Sequence, residues 1–214
     1  LMSDSLPTES ILNAAGREVP IDINGEKTIP YQGVGMYRPE GKQASRLIST
    51  CSDFPSSGNK LAQAEGDMAA RLKVALQNAG LKDGMTISTH HHFRNGDLVA
   101  NALFDAAKDL GVKNLRWFPS ASFPCHEHLL QYLEDGTIHH IEGSMNGPLG
   151  AYCSEGKMNG LGVLRSHGGR YQAVQDGGVH IDIAVIAAPT ADAFGNATGD
   201  RGPSACGLLG FALA

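Results

Sequence analysis

Between Lys60 and Pro189 the spacing of apolar residues changes period again and again, and glycines mark several of the changes. Leu61, Met68, Leu72, Ala75, Leu76 and Ala79 recur at helical spacing, and Gly80 ends the run as a C-cap. "MTIST" then reads as a short strand. Leu98, Ala102, Leu103, Ala106 and Leu110 form a second helical stripe that Gly111 stops, with Asn95 or Asp97 as its cap. "NLRWF" is the next strand, "HEHLLQYLEDG" a short helix closed by Gly136, and "TIHHIEG" another strand. Residues 180–189, "HIDIAVIAAP", are nearly all apolar, as a strand buried on both faces should be. Strands separated by helices predict βαβ units and an open, mostly parallel α/β sheet with flanking helices.

A parallel sheet places ligand groups in the loops at the carboxyl ends of its strands. Three Gly-rich stretches fall there: residues 90–97, "EGSMNGPLG" and "APTADAFGNATGD". The first, within "MTISTHHHFRNGD", is the most informative. His90, His91, His92 and Arg94 stand between a strand and a helix, and Gly96 lets the backbone come close to a ligand. Backbone amides at such a turn point outward, and the helix dipole favours negative charge. Arg94 can hold a carboxylate through two parallel hydrogen bonds. "LRSHGGR" repeats the recipe with Arg165, Ser166, His167 and Arg170. For each residue alone a solvated loop is the blander reading. Two such clusters in a chain of net charge −5 point to a small anionic ligand.

Metal chemistry fits less well. Adjacent histidines alternate sides, His126 and His128 lie two apart, and His139 and His140 fall on opposite strand faces. There is no H-E-x-x-H and no zinc-finger spacing, so no metal site is expected. No nucleophile declares itself either. Glu127, Glu142 and Glu155 read as turn or surface carboxylates, and Cys125 beside His126 lacks the geometry of a catalytic pair. The widely spaced Cys51, Cys125, Cys153 and Cys206 read as reduced, buried thiols of a cytoplasmic protein. There is no basic stripe for nucleic acid and no apolar run long enough to span a bilayer. Residues 1–59, with five prolines and no sustained period, read as an N-terminal arm of short turns or strands. "GLLGFALA" ends inside an apolar run, which raises the expectation of more protein beyond it and of packing against another chain.

"DGMTISTHHHFRNGDLVANALFDAAKDLGVKNL", "GPLG" and "SHGGRYQAVQDGGVHIDIAVIAAPTADAFGNATGDRGPSACGLLGFALA" resemble the α subunits of bacterial citrate lyases, their citrate CoA-transferase component. The likeness runs from about Lys60 to Ala214, and "ADAFGNATG" is similar to a broader CoA-transferase element. The resemblance implies the open α/β fold shared by CoA transferases and some sugar-phosphate isomerases. Residues 60–214 would be the first of two similar domains, with the second missing. The implied reaction exchanges the acetyl group of an acyl carrier protein for citrate, giving citryl carrier and acetate. The β subunit then cleaves the citryl thioester to oxaloacetate. No cofactor would be bound directly, because the carrier (γ) subunit holds a CoA-like prosthetic group. Expected partners are citrate, the carrier, the β subunit and a second copy of the chain, with neither nucleic acid nor membrane.

Related transferases use a glutamate in the second half, and no numbered residue here matches it. By position the His-rich turn stands where relatives carry an oxyanion loop. It is expected to bind citrate carboxylates or the thioester carbonyl through His90, His91, His92 and Arg94, with Gly96 and Asp97 shaping the turn and Ser166, His167 and Asn196 in support. The competing readings are a non-catalytic carrier- or subunit-binding module, a metal-dependent hydrolase and a sugar-phosphate isomerase.

Overall fold

The computed structural model describes residues 9–12, 16–23, 26–27, 67–90, 93–175, 177–188, 190–191, 197–199 and 205. In the opening arm β1 (Ser10–Leu12) pairs antiparallel with β2 (Glu18–Pro20), and β3 (Asp22–Ile23) with β4 (Glu26–Lys27). The remainder is built on α1 (Met68–Asn78), β5 (Thr86–His90), α2 (Val99–Asp109), β6 (Leu115–Pro119), a 3-10 helix (Pro124–Leu129) running into α3 (Leu130–Glu134), and β7 (Ile138–Gly143). These are followed by α4 (Gly147–Ser154), β8 (Gly162–Leu164), α5 (His167–Gln175) and β9 (Ile183–Ile186). A two-residue antiparallel ladder, β10 (Thr190–Ala191) with β11 (Ala197–Thr198), lies in the stretch expected to be loop.

The five long-range strands form one sheet in the order β8-β7-β6-β5-β9, and every neighbouring pair is parallel. Each strand must therefore cross over through a helix before it can pair with the next. From β5 to β8 the chain steps in one direction. It then returns past all of them to place β9 beside β5. Because such crossovers are right-handed, the steps from β5 to β8 put their helices on one face, and the reversal puts α5 on the other. The reversal also makes the carboxyl ends of β5 and β9 the switch point of the sheet, the position where open α/β folds have their ligand crevice.

The first face carries the core. Ile87, Leu115, Trp117, Ile138 and Ile141 pack under Ala100, Leu103, Phe104 and Ala107 of α2 and under Leu129 and Leu133. Ile138 and Ile141 both reach this core although they lie three apart. A register shift opposite Leu115 and Arg116 breaks the strict alternation that would turn one of them away. Asp67 caps α1 by accepting from the Ala70 N–H, and Gly80, Gly111 and Gly136 follow their helices with positive φ, as expected.

Three expectations are corrected. The buried stripe of α2 is Ala100, Leu103, Phe104, Ala106 and Ala107, so Leu103 and Ala106 lie in it as expected and Leu110 packs beside it, whereas Ala102 is only half-buried and Leu98, which precedes the helix, is 63% exposed. β9 is not buried on both faces: its residues alternate half-buried and exposed at one side of the sheet. "EGSMNGPLG" and "LRSHGGR" are not simply loops, since they supply the first turns of α4 and α5.

The second face is polar, with Thr86, Ser88 and His90 from β5, Arg116 from β6, and His140 and Glu142 from β7. α5 covers part of it through Arg170, which is 2% exposed. The guanidinium lies 4.0 Å over the Phe118 ring and donates to the Phe118 carbonyl (2.6 Å) and the Ser88 hydroxyl (2.6 Å). Burial pulls its pKa down to about 10, against the opposing charge of Glu142, so it remains a cation at neutral pH. One side chain thus ties the returning helix to β5 and β6. Arg170→Ala is expected to cost about 2–4 kcal/mol in urea unfolding, since hydrogen bonds to a charged group contribute roughly 1.5–3 kcal/mol each and burial offsets part of that. Arg170→Met should recover some of the loss through its stem. An alanine variant as stable as the parent would show that the helix does not rely on this contact.

Candidate functional site

The carboxyl end of β5 leads into a 3-10 turn over Arg94–Gly96. Arg94 sits at φ +52, a left-handed conformation that costs a residue with a Cβ roughly 1–2 kcal/mol. Its side chain is exposed. Asp97 closes the turn and is 1% exposed. Its Oδ1 accepts from the Val99 N–H at 2.9 Å, which starts α2, and its Oδ2 lies 3.0 Å from His126 Nε2. The His126 ring is fully buried, edge-on to Trp117 at 5.6 Å. Beside this pair, Asn95 Oδ1 accepts from the Cys125 N–H (2.8 Å), and the Asn101 amide donates to the Cys125 carbonyl (2.9 Å). The turn after β5 is thereby fastened to the 3-10 helix after β6.

Of the residues singled out from the sequence, His90 ends β5 as a buried residue of the polar face, Arg94 is on the turn, and His91, His92 and Asn196 lie outside the described residues. Gly96 has an ordinary φ, and a Cβ there would meet nothing within 4 Å, so the turn itself does not demand glycine. Ser166 caps α5: its hydroxyl accepts from the Gly169 N–H at 3.0 Å and its carbonyl from the Arg170 N–H. His167 is the first residue of that helix. Arg170, read as part of an anion cluster, is instead buried beneath the sheet. Both clusters lie on the carboxyl edge, because β5 and β8 are parallel. Two strands separate them, which at about 4.8 Å per step is roughly 14 Å. Residues 94–97 and 165–167 therefore share an edge without converging.

Glu142 departs furthest from its expected role. Its side chain is 12% exposed and belongs to a buried network, not to the surface. His140 Nε2 lies 2.8 Å from Oε1, and Arg165 Nε 2.5 Å from Oε2. Burial alone would raise this carboxyl, but the hydrogen bonds and charges of His140 and Arg165 hold it below the usual carboxylate range. With both oxygens engaged, it is not presented as a nucleophile. Glu155 pairs with Lys157, and Glu127 is exposed. His128 bonds Asp105 at 2.6 Å, away from His126, and no three His, Cys, Asp or Glu side chains gather into a metal-holding group among the described residues. Cys125 is half-buried with its Sγ 3.4 Å from the Asp97 carbonyl, which makes it a brace of the turn more than a core hydrophobe. Asp97 and His126 were visible only as a turn residue and an unmatched histidine, since nothing local to either announces a partner 29 positions away.

Two hollows lie elsewhere. A cavity of about 240 Å³ sits on the polar face toward the amino ends of the strands, between Thr86, Arg116, Phe118, His140 and Asp182. A groove of about 510 Å³ follows α4 and the edge strand β8, past Met145, Gly150 and Leu164. Neither is lined by the β5 turn.

The Glu142 network predicts a pH dependence. A carboxyl whose pKa is depressed by folding adds stability above its unfolded value of 4.5, and that stability is lost as pH falls through the folded value. Urea unfolding at pH 7 and at stepwise lower pH should show the parent losing stability more steeply than Glu142→Gln. Parallel profiles would remove this group from the acid response.

Comparison with known proteins follows the same lines. The family profile for the citrate lyase alpha subunit matches residues 65–214. The citrate lyase alpha chain of Escherichia coli K12 is 39% identical over 165 residues, which is 75% of this chain and 32% of that protein. The Klebsiella pneumoniae alpha chain is 40% identical over 142 residues, 66% of this chain and 28% of its own length. In structure, the chain is similar to a crystal structure from Streptococcus mutans assigned as an alpha subunit of citrate lyase and solved in complex with citrate. The TM-score is 0.63 at 43% identity, over 66% of this chain and 28% of that one. The chain thus spans about a third of the length of the curated relatives it matches. By its fold and by the family match over residues 65–214, it belongs to the citrate lyase alpha subunit family.

Proposed function

We propose that these residues serve the transferase step of citrate lyase, in which citrate replaces acetyl on the thioester of an acyl carrier protein. The carbon–sulfur bond to acetyl breaks, and a carbon–sulfur bond to a citrate carboxyl carbon forms. One citrate carboxylate oxygen leaves with acetate. A CoA-like group on the carrier would present the thioester, and this chain would hold the incoming tricarboxylate and the developing oxyanion.

The observation that carries this reading is the Arg94–Gly96 turn at the β5/β9 switch point. It is buried at its base, exposed at Arg94 and braced by neighbouring turns. A prearranged cation and fixed backbone amides stabilise an oxyanion better than groups that must reorganise, each good donor contributing about 3–4 kcal/mol. That the Streptococcus mutans relative was solved in complex with citrate supports a tricarboxylate as the anion. A carrier partner, a β-subunit partner and assembly with a second copy belong to this proposal. Acetyl carrier, labelled citrate and the protein assembled with its partner subunits should yield labelled citryl thioester. Citrate binding without that product would favour the module that binds but does not transfer.

Arg94→Ala should raise the citrate KM about ten- to hundredfold, because a charge-assisted bond contributes about 1.5–3 kcal/mol and 1.4 kcal/mol is tenfold. Lysine should recover only part, having lost the planar fork. His91→Ala should have the smaller effect, and equal effects would point to diffuse positive charge in place of a clamp. Gly96→Ala should leave stability within about 0.5 kcal/mol, since the added methyl meets nothing. Transfer should nevertheless slow if citrate approaches the backbone there. Unchanged transfer would remove Gly96 from the site.

A further inference from the structure

Asp97 and His126 contribute no exposed group to the crevice, being 1% and 0% exposed. Their geometry nevertheless determines how the turn stands. The Phe123 N–H donates to His126 Nδ1 at 2.9 Å, so Nδ1 must be the unprotonated nitrogen. The ring proton is then on Nε2, where it is donated to Asp97 Oδ2 at 3.0 Å. Asp97 Oδ1 is engaged by the Val99 N–H. Among the carboxylate's contacts are the Val99 N–H at the start of α2, on one oxygen, and the His126 ring in the 3-10 helix after β6, on the other. Three residues upstream, Arg94 is in a left-handed conformation that its own side chain disfavours. The turn's internal bonds are 3-10 contacts, Gly96 N–H to Phe93 O between exposed residues and Asp97 N–H to Arg94 O at the buried end. The buried anchor at the end of the turn is the Asp97–His126 pair.

We infer that Asp97 and His126 are positioning residues, a buried dyad that holds the turn so that Arg94 and the adjacent amides face the crevice. The inference rests on reading the turn as the anion site, and it adds residues that touch no substrate. It explains why the tautomer of a histidine at the end of β6 should matter to an arginine at the end of β5. Asparagine at 97 keeps the volume and can still cap Val99 through its carbonyl. Its amide then meets the His126 Nε2–H, donor against donor. The ring must move its proton to Nδ1 and lose the Phe123 bond, or swing out of its place beside Trp117.

The test uses the complete protein in three measurements. In the first, trypsin cleavage after Arg94 should accelerate about tenfold or more in Asp97→Asn, with other sites cut at their former rates, because the turn must open to enter a protease. An unchanged rate at Arg94 overturns the inference. In the second, nitrogen-detected imidazole spectra of the parent should show His126 protonated on Nε2 alone. A ring protonated on Nδ1 overturns it even if the variant does not fold. In the third, the citrate KM is followed through Asp97→Asn, Arg94→Ala and the double variant. If Asp97 acts through Arg94, the double variant should be within about twofold of Arg94→Ala, whereas multiplied effects mean independent roles. The first two readouts need no transferase activity. A parent inert toward citrate would therefore sink the transferase reading while leaving the dyad to stand or fall on the cleavage and the ring proton.

Discussion

A strand that pairs parallel with its neighbour cannot reach it by a tight turn, and all four pairings within the five-stranded sheet are of that kind. The carboxyl ends of all five strands are therefore forced to one edge, and each connection must supply a helix to cover a face. The single reversal, from β8 back to β9, divides the molecule into an apolar layer on one face and α5 on the other. It also makes the carboxyl ends of β5 and β9 the switch point, where open sheets of this kind have their ligand crevice. The site is a consequence of strand order before it is a consequence of side chains.

The two faces bear the cost of this arrangement differently. The first is an ordinary core of Ile87, Leu115, Trp117 and Ile141 under α2. The second holds a guanidinium, two histidines and a carboxylate at low exposure, where each unpaired group would be expensive. Arg170 meets most of that cost with a carbonyl, a hydroxyl and an aromatic face, and Glu142 with His140 and Arg165, while Arg170 Nε and His140 Nδ1 have no hydrogen-bond partner among the described residues. These contacts link β5, β6, β7, β8 and α5, so the polar face is held by specific bonds and not by generic burial. Unlike an apolar core, such a network has little tolerance for substitution by shape alone.

This difference explains what was legible beforehand. The strands from β5 to β7 and the helix stops at Gly80, Gly111 and Gly136 could be read because period and glycine placement are local properties. α5 could not. "SHGGR" contains two poor helix formers, and the run becomes a helix through the Ser166 cap and the burial of Arg170 against strands 50 to 80 residues away. The start of α2 slipped for a similar reason: Leu98 fits the stripe by spacing, yet it is the N-cap residue, held outside the helix beside the Asp97 carboxylate that accepts from the Val99 N–H. At the candidate site, the turn and Arg94 were recognisable by type. The Asp97–His126 bond and the role of Glu142 were not, since both depend on which strands are neighbours.

In the proposed role, Arg94 would act on an anion within a chain whose net charge is −5. At physiological ionic strength the screening length is about 8 Å, so charges scattered over the far surface contribute little at the crevice. What an approaching carboxylate meets is set by groups within that distance. Among the described residues they include the exposed guanidinium, the amides of the turn and the amino end of α2, whose dipole adds a partial positive charge. The nearest carboxylate in sequence, Asp97, has its oxygens turned inward to the Val99 N–H and His126. The same geometry that braces the turn therefore keeps a negative charge out of the crevice. In the proposed site, the direction in which one aspartate faces would decide whether the charge beside Arg94 opposes an arriving anion.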